Sequence, residues 1–78
     1  MKKYVYFVSF EIKSKENIKE LRKGFCTMDT NKKIDAHNVW EQLTDFQKEI
    51  CKTGNIDFNS VYVYILNYQY VGSKRVGI

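Results

Sequence analysis

From Lys3 to Ile12 the chain reads KYVYFVSFEI, in which Tyr4, Tyr6, Val8, Phe10 and Ile12 alternate with Val5, Phe7, Ser9 and Glu11. A period of two, dense in aromatic and β-branched residues and free of Gly and Pro, predicts a β-strand. Both of its faces are apolar near the middle, which suits a central strand. The next stretch, Ser14 to Lys23, offers Ser14 as an N-cap, Ile18 and Leu21 at helical spacing, and Gly24 as a stop. It is either a short surface helix or an elaborated hairpin loop. Gly24 to Asp29 (GFCTMD) reads as a second strand, because the Thr30-Asn31-Lys32-Lys33 cluster that follows has turn chemistry.

The period then changes. Asp35 is a good N-cap, and Val39, Leu43, Phe46 and Ile50 fall on one stripe of a helix that carries Glu41, Asp45, Lys48 and Lys52 elsewhere. Gly54 is the natural C′ residue. From Asn59 to Val71 strict alternation returns, with Val61, Val63 and Ile65 on one side and Tyr62, Tyr64, Leu66, Tyr68 and Tyr70 on the other, and Gly72 ends the strand. The order strand, optional short helix, strand, helix, strand predicts an α+β fold. It is a three-stranded antiparallel sheet of order 2-1-3 with one main helix on one face. All 78 residues fit a single domain.

Such a sheet leaves one face uncovered. If Val61, Val63 and Ile65 meet the helix, then Tyr62, Tyr64, Tyr68 and Tyr70, joined by Tyr4, Tyr6 and Phe10, form an open aromatic face suited to docking a protein or closing a homodimer. Alternatively that face folds into the core with its hydroxyls at the rim. Trp40 lies about 60° from Leu43 by helical spacing. It is a candidate interface anchor, or cover for the edge of the core.

The formal net charge of +4 is unevenly spread. Residues 13–33 carry Lys13, Lys15, Lys19, Arg22, Lys23, Lys32 and Lys33 against Glu16, Glu20 and Asp29, whereas residues 34–59 carry Asp35, Glu41, Asp45, Glu49 and Asp57 against Lys48 and Lys52. A basic end and an acidic helix face follow. Lys15, Lys19, Arg22, Lys23, Lys32 and Lys33, with Lys74 and Arg75, make nucleic acid the alternative partner, although the basic residues do not interleave with the aromatics as they do in sheets that stack bases.

Catalytic chemistry finds little purchase. His37 stands eleven residues after Cys26 and fourteen before Cys51, spacings unlike a zinc pair, and neither cysteine sits in a nucleophile motif. Gly24, Gly54, Gly72 and Gly77 are isolated, so no phosphate loop exists. Glu41, Asp45 and Glu49 share a helix face at i+4 spacing, which is ordinarily the wet side of an amphipathic helix. Hence no catalytic residue, metal, cofactor or small-molecule substrate is expected. Two cysteines are few for a disulfide framework, and the apolar runs fall short of the roughly 18 residues that span a bilayer. The expected location is the cytoplasm, with no membrane partner.

Taken in order, YFVSFEI, GFCTMDTNKKI, a helix and SVYVYILNYQYV, with the step Leu66-Asn67-Tyr68, resemble small accessory proteins of tailed phages and prophages. The basic stretch from Lys13 to Lys23 departs from the simplest version of that pattern. The resemblance covers nearly the whole chain and implies a mobile-element protein that acts by binding a bacterial host protein, as inhibitors of host defence and host takeover factors do. It transfers no functional residue.

Overall fold

In the computed structural model, which describes residues 1–77, three antiparallel strands lie in the order β2-β1-β3. They are β1 (Lys2–Ser14), β2 (Glu20–Thr30) and β3 (Val61–Arg75); α1 (Val39–Thr53) packs on one face, and a 3-10 turn at Phe58–Ser60 leads into β3. The α+β class, the order and the single packed helix are those the alternation implied.

The core sits between α1 and the central strand. Tyr6, Val8, Phe10 and Ile12 are buried from β1, Val61 and Val63 from β3, and Phe46, Ile50 and Cys51 from α1. Alternation therefore places the even-numbered side chains of β1 under the helix, and burying such a row is what holds a sheet and a helix together in a chain this short. Gln47 adds a polar tie, its Nε2 donating to the Val63 carbonyl at 2.9 Å.

Three local readings are decided or corrected. Of the two alternatives for the first connection the hairpin loop holds and the helix does not: β1 and β2 continue to Ser14 and from Glu20, and residues 15–19 close the hairpin. There Ile18 takes φ 54°, and the Ile18 and Ser14 amides donate to Ser14 and Lys19 carbonyls. Cross-strand pairing outweighs the weak helical signal of Ile18 and Leu21 because it pairs the backbone groups along the ribbon, with only Leu21 left out of register. Secondly, Asp35 caps the turn that precedes α1, its carboxylate accepting from the amides of His37 and Asn38 at 2.8 and 3.0 Å, and the helix proper begins at Val39.

The third correction lies at the other end of α1. Gly54 has φ −83°, and the left-handed position is filled by Asn55 at φ 55°, with Ile56 N–H donating to the Cys51 carbonyl. Asn tolerates that conformation. Gly54 is instead a point of close passage, since a Cβ there would lie 2.7 Å from Nη1 of Arg22. The guanidinium thus rests against the carbonyl end of the helix, where the dipole favours a cation.

Candidate docking surface

Register decides which side chains share a face. Residues directly opposite one another in a sheet point the same way. Along β3, Val61, Val63 and Ile65 stand opposite Ser14, Ile12 and Phe10, while Asn67, Tyr68, Gln69 and Tyr70 stand opposite Ser9, Val8, Phe7 and Tyr6. One residue, Leu66, has no partner between Ile65 and Asn67. Val71 is likewise extra between Tyr70 and Gly72, and each is a β-bulge. Below Leu66 the odd-numbered residues face α1; between Leu66 and Val71 the even-numbered ones do.

The tyrosine row is therefore split. Tyr62 and Tyr64, opposite Lys13 and Glu11, lie on the open face, whereas Tyr68 and Tyr70, opposite Val8 and Tyr6, lie on the helix face. Tyr6 is 2% exposed and is the hub of that second group. Its ring centroid is 6.2 Å from Phe46, 6.2 Å from Tyr68 and 5.5 Å from Tyr70, and its hydroxyl accepts from the Ile34 amide at 2.7 Å. Tyr4 packs on Tyr70 at 6.4 Å, with Lys2 over the Tyr4 ring and Lys33 over the Tyr70 ring. A single open face holding Tyr4, Tyr6, Phe10, Tyr62, Tyr64, Tyr68 and Tyr70 does not exist. The register sets Phe10 and Ile12, and with them Tyr4 and Tyr6, on the same face as Ile65 and Val63 under the helix. The extra residue Leu66 turns Tyr68 and Tyr70 to that face while Tyr62 and Tyr64 keep the other.

What the open face presents instead is a diagonal of aromatics with lysines around it. At its middle Phe7 of β1 and Phe25 of β2 meet with centroids 5.2 Å apart, and Phe25 is 70% exposed. Toward the hairpin end Tyr62 and Tyr64 lie 6.3 Å apart, with Lys15 Nζ 5.4 Å from the first ring and Lys13 Nζ 5.8 Å from the second. Three acids of the strands lie on this face: Glu11 pairs with Lys13 at 3.2 Å, Asp29 pairs with Lys74 at 3.1 Å, and Glu20 stands opposite Lys13. Lys15 and Lys23 leave it with a positive balance. Phe7 and Phe25 escaped the sequence reading, although their alternation with Ser9 and Glu11, and with Thr27 and Asp29, already marks them as large apolar side chains on a wet face.

The basic residues do not form one patch. Lys15 and Lys19 lie in the hairpin loop, whereas Lys32, Lys33, Lys74 and Arg75 lie at the far end of the sheet, separated by the length of β2, roughly 30 Å at the rise of a strand. Arg22 is drawn to the helix terminus and Lys23 to the open face. Trp40 is 81% exposed on α1, covers no core residue and stands on the side of the molecule opposite Phe25.

On the helix side, a groove of about 700 Å³ runs between α1 and β2, floored by Phe10, Cys26, Met28, Phe46 and Ile50 and walled by Asp45 and Glu49. Glu41 is exposed on the same helix. Burial pushes both thiols above the ordinary value, helped at Cys51 by the Asp57 carboxylate, so neither is activated as a nucleophile. His37 is exposed in the turn before α1, and among the described residues no three His, Cys, Asp or Glu side chains gather as a metal site. No helix among the described residues is long and apolar enough to cross a membrane. No protein family, no curated protein and no solved structure matches this chain.

Proposed function

We propose that the chain is a non-enzymatic binding protein that docks on another protein through the open face of its sheet, with the Phe7/Phe25 pair and Tyr64 as anchors. The carrying observation is that contacting pair, two large aromatic side chains held on adjacent strands with no helix over them. Aromatic area fixed in this way contributes most to association when the partner excludes water from it. The lysine-rich rim calls for a partner with carboxylates around an apolar depression. Following the sequence resemblance, the partner is a bacterial host protein met in the cytoplasm, and the chain is an accessory protein of a phage or prophage.

Single-stranded nucleic acid is the second reading, favoured by Lys13 and Lys15 lying beside Tyr64 and Tyr62 on the same face. Cations next to stacking rings are what a single strand uses.

The test compares the wild type with the double variant Phe25→Ser/Tyr64→Ser, whose fold is checked by circular dichroism. Each is used as bait in bacterial lysate with and without nuclease, and the captured protein is then remade pure and titrated. A partner that binds the pure wild type and binds the double variant about tenfold or more weakly supports docking by this face; equal binding removes the face from the role. Binding that needs nucleic acid, and that falls by about 0.7 log units per phosphate contact for each decade of salt, selects the second reading.

A further inference from the structure

A three-stranded sheet has two free edges, and here they differ. The β3 edge is broken by the bulges at Leu66 and Val71, the usual means by which an edge is made unfit for pairing. The β2 edge is regular for nine residues from Arg22 to Thr30, with its irregularity displaced to Leu21, and it contains no proline. The groove between β2 and α1 opens along this edge, since its lining includes Thr27 and Asp29 from one face of β2 as well as Cys26 and Met28 from the other.

The sequence of that edge is self-complementary. Two copies related by a two-fold axis pair antiparallel, so each pair of opposite residues has numbers adding to a constant even sum. With Cys26 on the axis, Lys23 stands opposite the second copy's Asp29, whose carboxylate it shares with that copy's Lys74, and by symmetry this charge contact occurs twice. In the same register Phe25 meets Thr27, Arg22 meets Thr30, and Met28 lies over the space left by the missing side chain of Gly24. Moving the axis to Phe25 sets Lys23 opposite Thr27, and moving it to Thr27 sets Phe25 opposite Asp29. Among the registers that pair at least seven of the nine residues, only the one centred on Cys26 brings opposite charges together.

We infer that the partner of this edge is a second copy of the chain, paired β2 to β2 through Cys26. The two sheets become one of six strands, with both helices on one side and both Phe7/Phe25 pairs on the other. This pairing uses the edge and leaves the open face free, so it stands whether or not that face docks a protein.

Sedimentation velocity over a wide dilution series measures the association, and mild oxidation at high protein concentration probes the register. The expected result is a reversible dimer that oxidation links through Cys26, with the link absent from Cys26→Ser. Lys23→Asp weakens the dimer about tenfold or more, since two attractions become two repulsions, and adding Asp29→Lys to it restores association. Because both residues are exposed, these changes leave the fold intact by circular dichroism. A monomer at every concentration overturns the inference, and so does a dimer that neither links through Cys26 nor responds to the charge exchange.

Discussion

Tyr64 and Tyr68, four residues apart on one strand, lie on opposite faces of the sheet, one opposite Glu11 and the other opposite Val8. An unbroken strand would place them on the same face, because its period is two. The unpaired Leu66 between them reverses the phase, and with it the destination of every side chain up to the next bulge. Tyr68 and Tyr70 thereby join Tyr6 against Phe46, while Tyr62 and Tyr64 stay with Lys13 and Lys15 on the open side.

Removing Leu66 should be tolerated better than removing a smaller residue elsewhere. Without it, Ile65 and Asn67 become neighbours in a regular ladder opposite Phe10 and Ser9, and no other side chain changes face. Deleting Ser9 from β1 breaks the phase of both ladders and turns either Tyr6 and Val8 or Phe10 and Ile12 out of the core. The Leu66 deletion is expected to melt cooperatively within about 8 °C of the wild type, roughly 1 kcal/mol for a domain of this size. The Ser9 deletion is expected to show no cooperative transition in thermal circular dichroism.

Tyr6→Phe isolates one hydroxyl. The ring and its neighbours Phe46, Tyr68 and Tyr70 are kept, but the Ile34 amide loses the acceptor that holds the loop before α1 against the sheet. An unpartnered amide at this half-buried position costs about 1 kcal/mol, the low end of the range for a buried one. Urea unfolding of the variant should show that loss, whereas Tyr64→Phe on the open face should stay within about 0.5 kcal/mol of the wild type.

The elements were legible wherever burial repeats with a regular period. Tyr6, Val8, Phe10 and Ile12 announce the central strand, and Phe46 and Ile50, with the half-buried Val39 and Leu43, announce the helix and the face it presents. Phase was not legible, because Tyr62, Tyr64, Tyr68 and Tyr70 read as one unbroken alternation and nothing local marks Leu66 as the residue to be left out. Whether Ser14 to Lys23 formed a helix was equally undetermined by spacing, since Ile18 and Leu21 face solvent in a ribbon that is held by its backbone. The basic run from Lys13 to Lys33 looked continuous in sequence, yet the hairpin carries its two ends to opposite ends of the sheet.

The two thiols should be distinguishable by reactivity. Cys51 is 1% exposed in the core, whereas Cys26 is half-buried beside the groove. A disulfide reagent should consume one thiol per folded chain and the second only in denaturant, with Cys26→Ser abolishing the native reaction. Burial raises the Cys26 pKa above its ordinary value of 9.0, which lowers the thiolate fraction at any given pH. The native rate should therefore still be climbing steeply at pH 9, where an exposed thiol is half ionised.

Trp40, the only tryptophan, reports on the side of the molecule away from the proposed docking face. With most of its surface in water it contributes little to the core, so Trp40→Ser should change stability by less than about 0.5 kcal/mol in urea unfolding. For the same reason its fluorescence should resemble that of free tryptophan and shift little on unfolding, while circular dichroism follows the transition. That insensitivity makes it a control for the site of binding. A partner seated on Phe7, Phe25 and Tyr64 leaves the emission where it is, whereas one that buries the indole moves it to shorter wavelength, and a blue shift at saturation would place docking on α1 instead of on the open face.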